Sequence, residues 1–368
     1  MGNTIDELGQ EVFIEKFIDR SLESCFDDVL TSIGPYAFAR CKTLSAAGFS
    51  NVTDIGECAF SDCFSLTAID FPNVLSIGSS AFHSARIESV NFSMASKIGY
   101  YAFDYCRSLV NASFPNVSSL SPGMFNMCTR LSVISVPKAE YIGAHCFDWC
   151  WCLTEALVPE VTDIGIGAFR SCSALSNVQA PKLQMIRDSA FNRCSALTNI
   201  DFPEVSEFGA YAFSSCINLE SAYFPLVSKT GYGAFMNCAA LSSVSFPKAE
   251  IIQDYTFYRC GLKEVEFSLA SKVGGYAFYT CQKLETVSFP KVESIGSSAF
   301  YNCIDLKTAV IGTEISSICK LAESGCFMYT DSELAFYVPD SMVQSYKEAT
   351  NWTVYSSQIK GISELPNE

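Results

Sequence analysis

The sequence predicts a solenoid, one elongated array of short rungs stacked so that their strands form a parallel sheet. Three observations predict it. First, a Phe recurs at positions 38, 60, 82, 103, 125, 147, 169, 191, 213, 235, 257, 278 and 300, with ten of the twelve intervals equal to 22 residues and two equal to 21. Second, a cysteine follows three residues after twelve of these thirteen Phe residues, Ala85 being the exception. Third, a unit this short cannot bury its own apolar side, whereas stacking on identical neighbours can. The unit reads L-x-x-V-x-F-P-x-V-x-x-I-G-x-x-A-F-x-x-C-x-x, and segments 66–85 and 284–303 are near copies of it.

Each position of the unit has a physical role. V-x-F alternates with the period of a strand, its apolar members facing inward. Proline ends that strand because it cannot donate to a ladder. V-x-x-I-G returns along the other side, and its Gly is expected to take a backbone turn closed to other residues. A-F-x-x-C is expected to be a short turn or a single helical turn that places Phe and Cys inside. Both short intervals lack one residue between the cysteine position and the next Leu or Ile, and both carry Ser (Ser93, Ser268) in place of Pro.

The ends of an array expose apolar surface unless capped. Residues 4–19 are expected to form an amphipathic helix, with Thr4 and Glu7 as a capping box and Ile5, Leu8, Val12, Phe13 and Phe17 at helical spacing. At the other end, Leu334, Phe336 and Val338 alternate like a strand and stop at Pro339. Asp340 or Ser341 is then expected to cap a helix running to about Thr350, with Trp352 and Tyr355 available to cover the last rung. The insertion between Gly312 and Leu334 breaks phase. The domain reading is 1–28 for the N-terminal capping helix and degenerate first unit, 29–312 for about thirteen repeats, and 313–368 for a degenerate last repeat and helical cap.

Composition excludes several partners. The chain has 368 residues, 24 Lys and Arg against 39 Asp and Glu, and a net charge of −15. Nucleic acid and anionic membranes both need a basic face, so neither is expected as a main partner. No apolar run is long enough to cross a bilayer. The N-terminus MGNTIDELGQ has neither the basic nor the apolar region of a signal peptide, so none is expected in this chain.

The unit resembles the BspA-type leucine-rich repeat of bacteria and some protists. The resemblance covers about residues 22–312 and includes the I-G-x-x-A-F-x-x-C half that ordinary leucine-rich repeats lack. Segment 336–365 also resembles the terminal cap of such proteins. The resemblance implies a leucine-rich repeat solenoid: right-handed and curved, a parallel β-sheet on its concave side, short strands, turns or 3-10 helices on its convex side, and helical caps. It further implies a non-enzymatic adhesion or interaction protein, extracellular or at a bacterial cell surface, that binds a protein or glycan. With no export signal expected, the alternative is a phage or prophage tail-associated structural or receptor-binding protein.

Chemistry sites are few. The in-register cysteines are expected to be buried free thiols acting as small apolar fillers. Regular disulfides between rungs about 4.8 Å apart would need a torsion that parallel side chains do not offer. His145, Cys146, Cys150 and Cys152 have ligands at zinc-like spacing, but Cys146 and Cys150 occupy inward repeat positions and His145 a surface turn. No metal, cofactor or catalytic residue is expected, since the two histidines, His83 and His145, lie in different repeats.

Ligand binding is therefore expected on positions that the repeat leaves free. One candidate is the middle of the sheet face, where Glu155, Leu157, Asn177, Gln179, Asn199, Asp201 and Tyr223 vary in chemistry; Gln179, Asp201 and Tyr223 are taken as its core. The other is a set of tyrosines, Tyr255, Tyr258, Tyr276, Tyr279 and Tyr301, expected at exposed turn positions in successive rungs, with Tyr101 and Tyr211 sharing the first column. Stacked tyrosines serve as interface anchors or as a ladder that rigidifies the turn.

Overall fold

A computed structural model describes residues 23–366, and the chain divides after Leu183 into two compact units. The expected helix at 4–19 lies outside the described residues. In both units each circuit of the chain follows the same path. Segment 66–85 shows it: a three-residue strand Ala68–Asp70, a turn at Pro72, a two-residue strand Ser76–Ile77, and a turn holding Ala81 and Phe82. Leu66, Phe71, Val74, Ile77, Ala81 and Phe82 are all buried.

All strand pairing is parallel. In the first unit Ser24–Phe26, Ala46–Gly48 and Ala68–Asp70 form one sheet, and Ser89–Asn91, Asn111–Ser113 and Val133–Ser135 the next. In the second unit Asn199–Asp201, Ser221–Tyr223 and Ser243–Ser245 form one sheet, followed by another running from Glu264–Glu266 to Ile359–Gly361. The sheet is interrupted before Ser89, before Glu155 and before Glu264. The first and last of these are the two rungs one residue short.

The core is a stack of rings. Phe38, Phe60 and Phe82 lie parallel at centroid spacings of 5.0 and 5.3 Å in the first unit. Phe278, Phe300 and Phe327 repeat this in the second unit at 5.1 and 4.8 Å. Phe327 shows that the insertion after Gly312 carries a further rung back into phase. A second column, Phe49 and Phe71 in the first unit and Phe224 and Phe246 in the second, packs beside the first. Fully burying one such side chain is worth roughly 1.5–3 kcal/mol.

The A-F-x-x-C turn is not helical. Its backbone is left-handed at two residues per rung, two before and two after the Phe, as at Cys58 (φ 51°) and Asp62 (φ 60°) around Phe60. These conformations cost L-residues roughly 1–2 kcal/mol each. They aim N–H groups along the stack: Cys58, Phe60 and Asp62 donate to Ser79, Ala81 and His83 carbonyls at 2.9, 2.7 and 2.8 Å. Tyr255, Phe257 and Arg259 donate likewise to the next rung in the second unit. Pairing every buried N–H offsets the strained conformation.

The repeat Gly has a different role from the one expected. At the repeat position, four residues before the column Phe, no Gly is among the positive-φ residues. Instead the previous rung's backbone crosses where a Cβ would stand. A Cβ on Gly99 would lie 2.3 Å from the Ser79 nitrogen, and one on Gly296 2.3 Å from the Gly275 nitrogen. Close approach excludes a side chain here.

None of the 18 cysteines is assigned to a disulfide. The column thiols do more than fill space. From Cys63 onward their Sγ–H groups donate to the Phe carbonyl of the preceding rung, as from Cys63 to Phe38 at 3.0 Å, Cys216 to Phe191 at 3.2 Å and Cys303 to Phe278 at 3.1 Å. Burial pushes these thiols up, Cys216 and Cys281 to about 12, so they stay protonated and able to donate.

Helix is scarce among the described residues. One α-helix, Val343–Glu348, follows a 3-10 turn at Asp340–Met342. Neither has a side-chain N-cap. Asp340 instead accepts from the Ser363 hydroxyl at 2.8 Å, tying down the C-terminal segment. Trp352 and Tyr355 pack against Phe336, and Trp352 Nε1 donates to the Cys319 carbonyl at 2.7 Å. Tyr346, buried beside Trp352, accepts from the Cys319 N–H at 2.9 Å.

Candidate functional site

The second unit carries two tyrosine columns beside the Phe-Cys turn. The first is Tyr211, Tyr232, Tyr255 and Tyr276, with successive ring centroids 5.3, 5.3 and 4.9 Å apart. The second is Tyr258, Tyr279, Tyr301 and Tyr329, at 5.1, 5.0 and 5.1 Å. Tyr255 to Tyr258 (5.8 Å) and Tyr276 to Tyr279 (5.5 Å) link the columns. Eight tyrosines thus form one connected surface.

The five sequence-predicted members are not exposed as expected; each is half-buried. The cause is stacking, since each ring is covered by the ring of the next rung. Exposure is greater at Tyr211, Tyr232 and Tyr329. Desolvation, reinforced by neighbouring phenols and Asp254, raises the Tyr255 hydroxyl above its ordinary range.

Tyr232 and Tyr329 were not anticipated because each is shifted one residue from its column. Gly233 occupies the left-handed position that Tyr211 and Tyr255 fill in their own rungs, and a Cβ there would meet the Tyr211 ring at 2.8 Å. With that position empty, Tyr232 leans in from the preceding residue and joins Tyr211 to Tyr255.

The sheet-face candidates are exposed. Gln179 lies in the first unit, its register partner being Leu157. Asp201 and Tyr223 are register partners in the second unit, with Tyr223 45% exposed. The Ser221 hydroxyl donates to Asn199 Oδ1 at 2.7 Å beside them.

The His-Cys cluster disperses. Cys146 and Cys150 are buried and Cys152 is exposed. His145 turns to Asp148, with Nδ1 3.2 Å from Oδ2. Among the described residues no three His, Cys, Asp or Glu side chains group as metal ligands.

A feature hidden in the sequence is a polar row on the first unit, one residue after each column Phe: His83, Asp104, Asn126, Asp148 and Arg170. Asp104 and Asp148 are buried. Asp104 accepts from Asn126 Nδ2 at 2.9 Å and lies 3.0 Å from His83 Nδ1. Asp148 accepts from one edge of the Arg170 guanidinium, Nε donating to Oδ1 at 3.0 Å and Nη2 to Oδ2. The oxygens of both carboxylates are engaged by these partners, so the row braces the stack. Its positions vary from rung to rung, so periodicity did not reveal it.

Comparison with known proteins places the repeat. The model of the BspA type leucine rich repeat region, in six copies, matches residues 31–154, 140–263 and 250–349. No curated protein sequence matches the chain. A leucine-rich repeat protein from Bacteroides ovatus shares the fold at 24% identity and TM-score 0.64, over 86% of this chain and 84% of its own. One from Eubacterium ventriosum does so at 21% identity and TM-score 0.50, over 85% and 84%. The rung pattern and the family match together show that the chain belongs to the BspA-type leucine-rich repeat family.

Proposed function

We propose that the protein is a non-enzymatic interaction module, working at a bacterial cell surface, that captures a macromolecular ligand through the tyrosine columns of its second unit. Proteins of leucine-rich repeat type are generally binding or scaffold proteins, which supports the class. Family resemblance supports the location, and no helix among the described residues is long and apolar enough to cross a membrane. The observation that carries the site is the eight-tyrosine surface itself. The Phe, Leu and Cys columns already fill the core, so these rings are not needed there. Stacking pre-orders them, which lowers the entropic cost of contact, and tyrosine gives broad amphipathic contact with few torsions.

The test is capture by immobilised surface and matrix glycoproteins. Tyr276→Ser with Tyr279→Ser is expected to weaken capture at least tenfold, since an aromatic anchor is worth on the order of 2 kcal/mol. Gln179→Ala, and separately Asp201→Ala with Tyr223→Ala, are expected to leave it unchanged. Loss in the sheet-face variants alone would move the site to that face.

A further inference from the structure

The ladder of two-residue strands in the second unit has a gap. Glu207–Phe208 ends one sheet and Ile251–Ile252 begins another. The rung between them contributes one isolated bridge, Lys229 to Ile251. In this rung Thr230 stands where the others carry Ile, Leu, Val or Phe. It is buried, and its hydroxyl lies 2.9 Å from that of Thr256 and accepts from the Gln253 N–H at 2.9 Å. In regular rungs that N–H goes to a carbonyl, as from Gly274 to Ile252 at 2.8 Å. The ladder therefore opens here.

A groove of about 380 Å³ occupies the gap, lined by Ser206, Glu207, Ser228, Lys229, Tyr232 and Gln253. Its volume falls within the usual span of small-ligand sites. Tyr232 is 39% exposed and is held by Tyr211 and Tyr255, so the groove opens beside the tyrosine columns. Hydroxyls, an amide, one carboxylate and one ammonium surround it, next to the partly exposed Tyr232 ring. This is the chemistry that takes a polyhydroxylated ring, with polar edges to hydrogen-bond and an apolar face to stack. Glu207 and Lys229 cancel in charge, and a chain of net charge −15 repels polyanions.

We infer that this groove binds a neutral saccharide unit, with Tyr232 as the stacking platform and Gln253, Glu207 and Ser228 as hydrogen-bonding partners. The inference rests on the interaction reading above and specifies part of the ligand. A groove of about 450 Å³ in the first unit, between Lys97–Ile98 and Ser119, is lined by Ile, Gly, Ser and Lys with no aromatic ring. It serves as the control.

The experiment is saturation-transfer NMR on the full chain with neutral gluco-, galacto- and N-acetylglucosamine tetrasaccharides, and with a sulfated glycan fragment. Transfer to at least one neutral tetrasaccharide is expected. Tyr232→Ala and Gln253→Ala should each weaken it on the order of tenfold. Ser228→Trp, on an exposed residue, should block it with the melting temperature retained, and Ser118→Trp in the control groove should not. No neutral tetrasaccharide binding, preference for the sulfated fragment, or binding that survives Ser228→Trp would each overturn the inference. Glycoprotein capture without saccharide binding would sink it and leave the interaction reading standing. Saccharide binding without capture would support it and sink that reading.

Discussion

His83 Nδ1 lies 3.0 Å from Oδ2 of Asp104, which occupies the equivalent position one rung later. The hydrogen bond to Asp104 raises the imidazole above its ordinary value, partly opposed by burial and helped by the charges of Asp104 and Asp62. A His whose folded pKa is raised stabilises the fold fully below the unfolded value of about 6.5. That contribution is lost as pH rises through the folded pKa. Stability is therefore expected to fall between pH 6.5 and the raised value, by less than about 1 kcal/mol because the ring is partly solvated. Melts across this window with His83→Gln, which should flatten the slope, check it. An unchanged slope would contradict the pairing.

The Asp148 and Arg170 pair predicts an asymmetry. The carboxylate side chain is 3% exposed and the guanidinium 40%. Arg170→Ala leaves a buried carboxylate with His145 as its remaining partner and is expected to cost about 2–3 kcal/mol, below the fully buried limit. Arg40→Ala, removing a 3.8 Å pair whose Arg is 81% exposed, should cost under about 0.5 kcal/mol. Denaturant unfolding of both variants measures the difference, and equal costs would contradict the burial assignment.

Glycine in the I-G pair yields a contrast inside one unit. Gly99→Ala brings a Cβ to 2.3 Å from backbone and is expected to destabilise by at least about 2 kcal/mol. Gly34→Ala meets nothing within 4 Å among the described residues and should be neutral, or stabilise by up to about 1 kcal/mol. If the Gly served the turn conformation, both would lose stability alike.

The thiols separate by burial. In the folded protein a thiol reagent is expected to label Cys152, which is exposed, and slowly Cys25 and Cys58. The twelve column cysteines should react only after denaturation, being both covered and held protonated. Rapid labelling of the native column would contradict the hydrogen-bonded stack.

Much of this fold was legible because a 22-residue period leaves its mark on every rung. Phe, Cys, Leu and the I-G pair recur, and each faces the core or a close backbone crossing. The left-handed turn residues were hidden, since Tyr, Ser, Arg, Asp and Trp all occupy them and no residue type marks the conformation. The tyrosine site was half legible: Tyr255, Tyr258, Tyr276, Tyr279 and Tyr301 sit in phase, while Tyr232 and Tyr329 slip by one residue. Stacking, which half-buries the five, follows from inter-rung distance and not from spacing. The groove was invisible because its one local sign, Thr230 in place of an apolar residue, does not mark lost strand pairing.

The central claim is that core columns hold the fold while the tyrosine surface holds the function. Binding and melting measured on one variant, Tyr276→Ser with Tyr279→Ser, test it most directly. Both residues lose stacked neighbours, so a cost of roughly 1–3 kcal/mol is expected, lowering Tm by several degrees. The fold should persist, with the column cysteines still protected, and capture of immobilised surface glycoproteins should fall at least tenfold. A folded variant with unimpaired capture would contradict the claim, and so would a variant that unfolds with its cysteines reactive.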